Sequence, residues 1–344
     1  MKPKDYQRIR EELEACQRPL FIFHDDPDGL ASYLLLYRIR REGKGILVKT
    51  TPKVDLQMIR RVREYEPDKI FVLDIAMMTQ EFVDEARVPI IWIDHHEPQA
   101  LRNVLYFNPR LEDISNNLPA SYLCYNVAKN DLWIAMTGII GDWYYPEYSK
   151  EFSEKYPQLL PADLKTAEDV LFRSRLGTLV MVFSFILKGN NSDVMKLISV
   201  VSKIEDPLEI LDQTTPKGKL LFKKFEYVYE KYEKLLEAAE KRVSKDPMLV
   251  FTYHHEQVSF SKDLANELLY NHPDKIIVIG RENGDEVKIS LRAKHMPVQP
   301  ALKKALEGID GYGGGHEFAC GACIKSADFQ RFLKNYRAEM GIVE

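Results

Sequence analysis

Residues 20–43 read LFIFHDDPDGLASYLLLYRIRREG. An unbroken apolar run from Leu20 to Phe23 meets a polar turn, and a helical stretch follows from Ala31. A short apolar run without polar alternation is the mark of a strand buried on both faces. The same unit returns downstream as ILVKT from Ile46, KIFVLDI from Lys69 to Ile75, and PIIWIDHH from Pro89 to His96. Strands of this kind separated by helical segments predict a mostly parallel sheet over 20–106, covered by helices on both sides.

Working outward, the pattern from Ser121 to Trp143 is helical and passes through Gly141-Asp142 near its end. Residues 145–165 are rich in Pro, Tyr and charge and read as a loop or lid. Helices are expected over 166–188, 191–203 and 218–245, the last being a candidate connector. Beyond Pro247 strands return as MLVFTYH, KIIVIGRE and EVKISLRA, with Glu282-Asn283-Gly284-Asp285 as a hairpin turn between the last two. The expected fold is α/β: a catalytic domain on a mostly parallel sheet over 1–190, a helical connector over 191–246, and a smaller C-terminal α/β domain over 247–344, with a cleft between the domains.

Length and composition agree with that plan. A chain of 344 residues, 45% hydrophobic and 29% charged, is long enough for two cores. A net charge of −4 speaks against a surface coated for duplex DNA, though not against a local basic groove. No apolar run spans a bilayer, and the opening MKPKDYQRIREELEA lacks an apolar signal segment, so the expectation is a cytoplasmic protein. Of the four cysteines only Cys320 and Cys323 form a CxxC, and no second pair completes a zinc site. Small buried thiols are the expected reading.

The chemistry concentrates at strand ends, where open parallel sheets bind their ligands. His24, Asp26 and Asp28 follow the first strand, Asp74 ends KIFVLDI, and Asp94-His95-His96 closes PIIWIDHH. Asp142 arrives by another route, from a helix ending in GIIGD. A single aspartate at such a place is most often a helix cap or turn residue. Gathered together, these carboxylates repel one another and need a cation, and oxygen donors with imidazoles suit manganese, magnesium or zinc.

At this point the chain resembles the DHH phosphoesterases. HDDPDGLAS is similar to their first motif, His-x-Asp-x-Asp-Gly; Asp74 resembles the second, Asp94-His95-His96 the third and Gly141-Asp142 the fourth. ISLRA around Arg292, and GYGGGHEFACGA with Gly313, Gly314, Gly315 and His316, resemble the DHH-associated C-terminal domain. The resemblance implies two Mn2+ ions, with Mg2+ as a substitute. Carried onto this sequence, His24 and Asp26 hold one ion, Asp28, His95 and Asp142 hold the other, and Asp74 bridges. Among the catalytic residues it implies, His96 faces the scissile phosphate and Asp94 orients a neighbouring histidine. Arg292, Gly313, Gly314, Gly315 and His316 are implied to bind substrate, while Asp25 is read as structural. A tight turn without function is the plainer reading of the triple glycine. His254-His255 and Tyr144, Tyr145 and Tyr148 are weaker candidates for substrate contact.

The function implied is a two-metal phosphodiesterase acting on short single-stranded RNA or DNA or on single-stranded ends, in the manner of RecJ-type exonucleases or NrnA-type oligoribonucleases. Alternatives are a phosphoesterase for cyclic or linear dinucleotides or adenosine bisphosphate, and an inert scaffold in a replication or repair complex. Pyrophosphate hydrolysis fits less well, because relatives with that activity resemble a different C-terminal domain. The partners expected are these nucleic acids or dinucleotides, no membrane, and a second copy if the chain forms a homodimer.

Overall fold

The computed structural model describes residues 1–49, 53–254 and 258–342. The chain divides into two compact units, residues 1–225 and 226–344. In the first, the strands are β1 (Pro19–His24), β2 (Lys44–Val48), β3 (Lys53–Val54), β4 (Lys69–Leu73), β5 (Met77–Met78), β6 (Ile90–Ile93) and β7 (Leu105–Phe107). The main sheet has the order β2-β1-β4-β6-β7 and every pair in it is parallel. β3 and β5 pair separately. Phe21, Ile22, Phe71, Val72, Ile91 and Trp92 are all fully buried. Their side chains point to alternate faces, which explains the absence of a polar alternation in the sequence.

Helix Pro27–Arg40 leaves β1 and is buried along much of its length, and it packs against helices Ala120–Ala128 and Leu132–Gly141. Gly138 permits this approach: a Cβ there would lie 2.5 Å from the Ala31 Cβ and 2.7 Å from the Ser121 hydroxyl. The single helix expected from Ser121 to Trp143 is in fact these last two. Lys129 and Asp131 between them have left-handed backbones, with φ of 54° and 52°, and end one helix before the next begins. The region read as a loop over 145–165 contains helix Ser149–Lys155, which buries Phe152.

Helix Arg175–Ile186 packs on Leu132–Gly141, and Asn191–Val201 follows it, burying Val194, Leu197, Ile198 and Val201. The long helix runs from Pro216 to Glu240 and contains the boundary between the two units.

The second unit is a sheet of order β11-β12-β10-β9-β8. Its strands are β8 (Met248–His254), β9 (Ile276–Asn283), β10 (Glu286–Arg292), β11 (Gly311–His316) and β12 (Ala319–Lys325). β8 and β9 are parallel and the other pairs antiparallel. The β9–β10 hairpin turns at Gly284, whose φ is 63°. One face of the sheet packs a core of Val278, Ile289, Leu291, Leu302, Ile324, Phe332 and Tyr336. GYGGGH is not a tight turn. It is the edge strand β11, exposed along its whole length and paired residue by residue with β12. Among the described residues no helix is long and apolar enough to cross a membrane.

Candidate metal centre

The carboxyl ends of β1, β4 and β6 lie side by side, because these strands are neighbours in the sheet. Three sets of side chains there offer donor atoms within 4.8 Å of one another: His24, Asp26 and Asp74; Asp28, His95 and Asp142; and Asp74, His95 and His96. Asp74 and His95 each belong to two sets.

The first motif places three of these donors by local geometry. Asp26 caps helix Pro27–Arg40, its Oδ1 accepting from the Gly29 amide at 3.0 Å, while Oδ2 lies 3.0 Å from His24 Nδ1. The plain reading of this aspartate as a helix cap is therefore correct and compatible with a second role. Gly29 is required, since a Cβ there would come within 2.5 Å of the His24 carbonyl oxygen. Asp28 is buried and accepts from the amides of Ala120 and Ser121, each at 2.8 Å, and from the Ser121 hydroxyl. It thereby anchors the start of helix Ala120–Ala128.

Asp74 is 1% exposed and adopts a left-handed backbone with φ of 54°, a conformation a side chain enters at some cost. Its amide still donates to Ile93 O at 3.0 Å, so the residue turns off the end of β4 while held to the neighbouring strand. The turn brings Oδ2 to 3.4 Å from His24 Nδ1 and Oδ1 to 3.4 Å from His95 Nε2. Asp142 caps the end of helix Leu132–Gly141, its Oδ2 lying 3.7 Å from His95 Nδ1.

Asp94 is fully buried and its oxygens are occupied by other contacts. Oδ1 accepts a hydrogen bond from His96 Nδ1 at 2.7 Å, and Oδ2 accepts from the His96 amide, the Tyr106 hydroxyl and Asn108 Nδ2. Asn108, at the end of β7, also donates to His96 O at 2.9 Å and to Tyr106 Oη at 2.8 Å. Asn117 Oδ1 lies 3.2 Å from His95 Nδ1. The sequence motifs do not include Tyr106, Asn108 or Asn117. They are neutral residues beyond the acidic segments, with no spacing to mark them.

The electrostatics follow from crowding. Burial alone lowers the pKa of His24, but the carboxylates of Asp26 and Asp74 outweigh it and hold the imidazole well above its ordinary range. Burial is likewise overcome at His95, by Asp74, Asp142 and Asp28, and at His96 by Asp94 and Asp74. Asp28 is raised well above the usual carboxylate range by burial, with Asp74 and Asp142 adding to it. Protons are thus the compensation these side chains find among themselves, and divalent cations supply the same compensation. The donor set fits such ions on a further ground. His24 Nδ1 and Asp74 Oδ2 are buried and make no hydrogen bond, although they approach each other closely. Buried polar atoms are seldom left without a partner.

The residues predicted to bind substrate lie in the second unit. His316, Ala319 and Arg292 occupy one row across β11, β12 and β10, so His316 and Arg292 share a face of the sheet. Arg292 Nε donates to Asn266 Oδ1 at 2.9 Å and Nη1 to Leu291 O at 2.9 Å. Gly313 and Gly315 are accounted for locally: a Cβ at Gly313 would lie 2.9 Å from Gly321 O, and Gly315 has φ of 144°. The Cβ direction of Gly314 is open.

The weaker candidates go elsewhere. Tyr144 and Tyr148 pack against Tyr122, and the Tyr145 hydroxyl bonds Leu164 O. His254 is exposed at the end of β8, and His255 is outside the described residues. Cys16, Cys124, Cys320 and Cys323 are free and buried.

Solved structures share this fold. RecJ of Thermus thermophilus, in complex with Mn2+, matches at a TM-score of 0.67 and 15% identity, covering 99% of this chain and 55% of its own. This chain therefore spans little more than half of that protein. The DHH domain of a member of a ribosomal-protein family matches at 0.69 and 16%, covering 98% and 89%. The pGpG-specific phosphodiesterase PggH of Vibrio cholerae matches at 0.50 and 15%, covering 95% and 99%. At these identities the likeness is one of fold. No curated protein matches the sequence. Two family models do: the DHH family N-terminal domain over residues 20–160 and the DHHA1 domain over 248–341. With both domains present in this order, the chain belongs to the DHH family of phosphoesterases.

Proposed function

We propose that this protein is a two-metal phosphodiesterase that hydrolyses short oligonucleotides or single-stranded nucleic-acid ends. The observation that carries the reading is the pair of donor sets, His24–Asp26–Asp74 and Asp28–His95–Asp142, linked through the contacts of Asp74 with His95. In this reading each set holds one cation, with Asp74 shared, and manganese is the preferred ion. Bound divalent cations supply activation of water and neutralisation of charge at the phosphorus. The side chains do the rest. Asp94 fixes His96 with the Nδ1 proton directed at the carboxylate, leaving Nε2 as the ring atom for a phosphoryl oxygen. Because Asp94 and Asp74 favour the imidazolium, His96 serves as a hydrogen-bond donor to that oxygen as negative charge grows on it. Asp94 takes no part in the displacement itself; it is a positioning residue. Arg292, His316 and the backbone of Gly313, Gly314 and Gly315 bind the remainder of the substrate, its terminal phosphate or base.

A linear dinucleotide is the shortest substrate of this chemistry, and PggH is specific for one, pGpG. The test is a panel: the full chain with Mn2+ and labelled RNA and DNA oligomers of graded length, a linear and a cyclic dinucleotide, adenosine bisphosphate, and pyrophosphate. Turnover of short oligomers or linear dinucleotides is expected. Hydrolysis of pyrophosphate alone would sink the reading. Metal binding with no turnover of any substrate would favour an inert scaffold.

A further inference from the structure

The β9–β10 ladder of the second unit carries a charge that the fold does not answer. Arg281 and Lys288 are direct register partners across it, and Tyr253 on β8 continues the row. Arg281 is 9% exposed, and its Nε is buried without a hydrogen-bond partner. Among the described residues no carboxylate pairs with its guanidinium. Arginines are almost never buried unless paired, and like charges directly opposite on neighbouring strands repel. Lys288 is half-buried, so a second cation stands beside the first.

A third positive feature meets the same place. Helix Ser261–Asn271 packs on β9 and β10, on the face where its Asn266 takes the Arg292 bond. Lys288 and Arg292, four residues apart on one strand, share that face, and so does Arg281. The helix starts at Tyr253, whose hydroxyl accepts from the Phe260 amide at 2.7 Å and lies 3.1 Å from Ser261 Oγ. Burial raises the pKa of that hydroxyl, and the nearby Arg281 charge opposes the rise. The guanidinium thus sits at the start of an 11-residue helix whose N-cap, Phe260, makes no side-chain bond to it. A helix N-terminus is itself positive, and a cation is favoured at the other end. The neighbouring carboxylates are engaged elsewhere. Glu286, diagonal to Arg281 on the same face, lies 3.8 Å from Lys325 Nζ and accepts from the Cys323 thiol. The charge of Asp263, in the first turn, is felt at Tyr232 and Glu267, where it adds to burial in raising both. A buried cation opposed by a lysine and a helix end is costly, and a bound anion removes that cost.

We propose that Arg281, Lys288 and the N-terminal end of helix Ser261–Asn271 form an anion site in the second unit that takes a phosphate group. A guanidinium fork and helix amides together suit phosphate oxygens. The site is separate from Arg292 and His316, because four residues along β10 place Lys288 about 13 Å from Arg292. It does not rest on the phosphodiesterase reading, since binding here needs neither metal nor turnover. The phosphate belongs either to a nucleic-acid strand or to a free ion or mononucleotide, and the experiment separates the two.

The full chain is kept in chelator, so that nothing is hydrolysed, and its Tm is followed as inorganic phosphate replaces chloride at fixed ionic strength. The parent is expected to gain about 2–4 °C at saturating phosphate. Arg281→Met keeps the apolar stem and removes the charge. It should melt at or above the parent without phosphate, because no ionic partner is lost, and should gain under about 1 °C with it. Lys288→Gln, at a half-buried position, should show a reduced gain, and it decides the matter if Arg281→Met does not fold. A second arm measures binding of a fluorescein-labelled adenylate pentamer by polarisation. Affinity about tenfold weaker in Arg281→Met assigns the phosphate to a strand. Unchanged affinity beside a lost phosphate response assigns it to a free ion or mononucleotide. The site is overturned if parent and variants respond equally to phosphate and bind the pentamer equally well.

Discussion

At the scale of single residues, Asp26 and Asp28 each do two things. Asp26 caps one helix, Asp28 anchors another and Asp94 fixes a histidine, while the same segments supply the donor sets. The acidic and histidine residues are legible in the sequence because their spacing after apolar runs marks strand ends. Asn108 is not legible, because an amide carries no charge and its partners are 12 and 14 residues away. It is 2% exposed and donates to Asp94, to His96 O and to Tyr106. Removing it frees the Asp94 carboxylate to rotate and loosens the ring it holds. Asn108→Ala is expected to lower kcat by about 10- to 100-fold, the usual range for losing such a supporting contact, with KM little changed. Asn108→Asp should be worse, since it sets a second carboxylate against Asp94. Steady-state kinetics with Mn2+ checks both, and an unaltered kcat in Asn108→Asp would exclude the positioning role.

At the scale of elements, legibility follows the strength of the local signal. β1, β4 and β6 are readable as continuous apolar runs, but β7 is three residues long and takes its strand character from pairing with β6. The break at Lys129–Asp131 leaves no mark in the sequence because neither residue is a glycine, although both have positive φ. β11 misleads for the opposite reason: glycine disfavours strands, and only the ladder to β12 holds it extended. Glycine matters differently in helix Leu132–Gly141. Gly138→Ala would bring a methyl group into Ala31 and Ser121, outweighing the gain in helix propensity. It is expected to destabilise the fold by about 1–3 kcal/mol, measured by denaturant unfolding.

The second unit offers a pH test between elements. Arg337 on helix Phe329–Glu339 bonds both oxygens of Asp246, at 3.2 and 2.5 Å, just before β8. That guanidinium holds the Asp246 carboxyl below its usual range, despite some opposing burial. A depressed folded pKa stabilises above the unfolded value, near 3.9, and the contribution is lost as pH falls through the folded value. The pair is partly exposed, so the gain is under about 1 kcal/mol. Asp246→Asn should therefore melt below the parent at pH 7, and the gap should close as the pH falls from about 3.9 through the lower folded value. A gap that persists undiminished at low pH would remove the charge from the explanation.

At the scale of the whole molecule, a cation that binds only the folded chain must stabilise it, and the two-unit organisation says where. Every proposed donor lies within residues 1–225, on elements that build the core of that unit. His24 ends β1, Asp28 holds helix Ala120–Ala128, and Asp74 and His95 follow β4 and β6. A ligand gripping all four ties the sheet to its helices, so the first unit gains and the second does not. At a free Mn2+ concentration 100 times the dissociation constant the gain is about 2.7 kcal/mol. For a unit of this size that amounts to a rise of about 5–10 °C in its Tm. Asp74→Asn removes a charge shared between donor sets and should abolish most of the rise, while Arg292→Ala, in the second unit, should leave it intact. Differential scanning calorimetry with Mn2+ and with chelator reads this without any substrate. An equal rise in Asp74→Asn and the parent would place the ion away from Asp74, and the bridging role would have to be given up even if hydrolysis were observed.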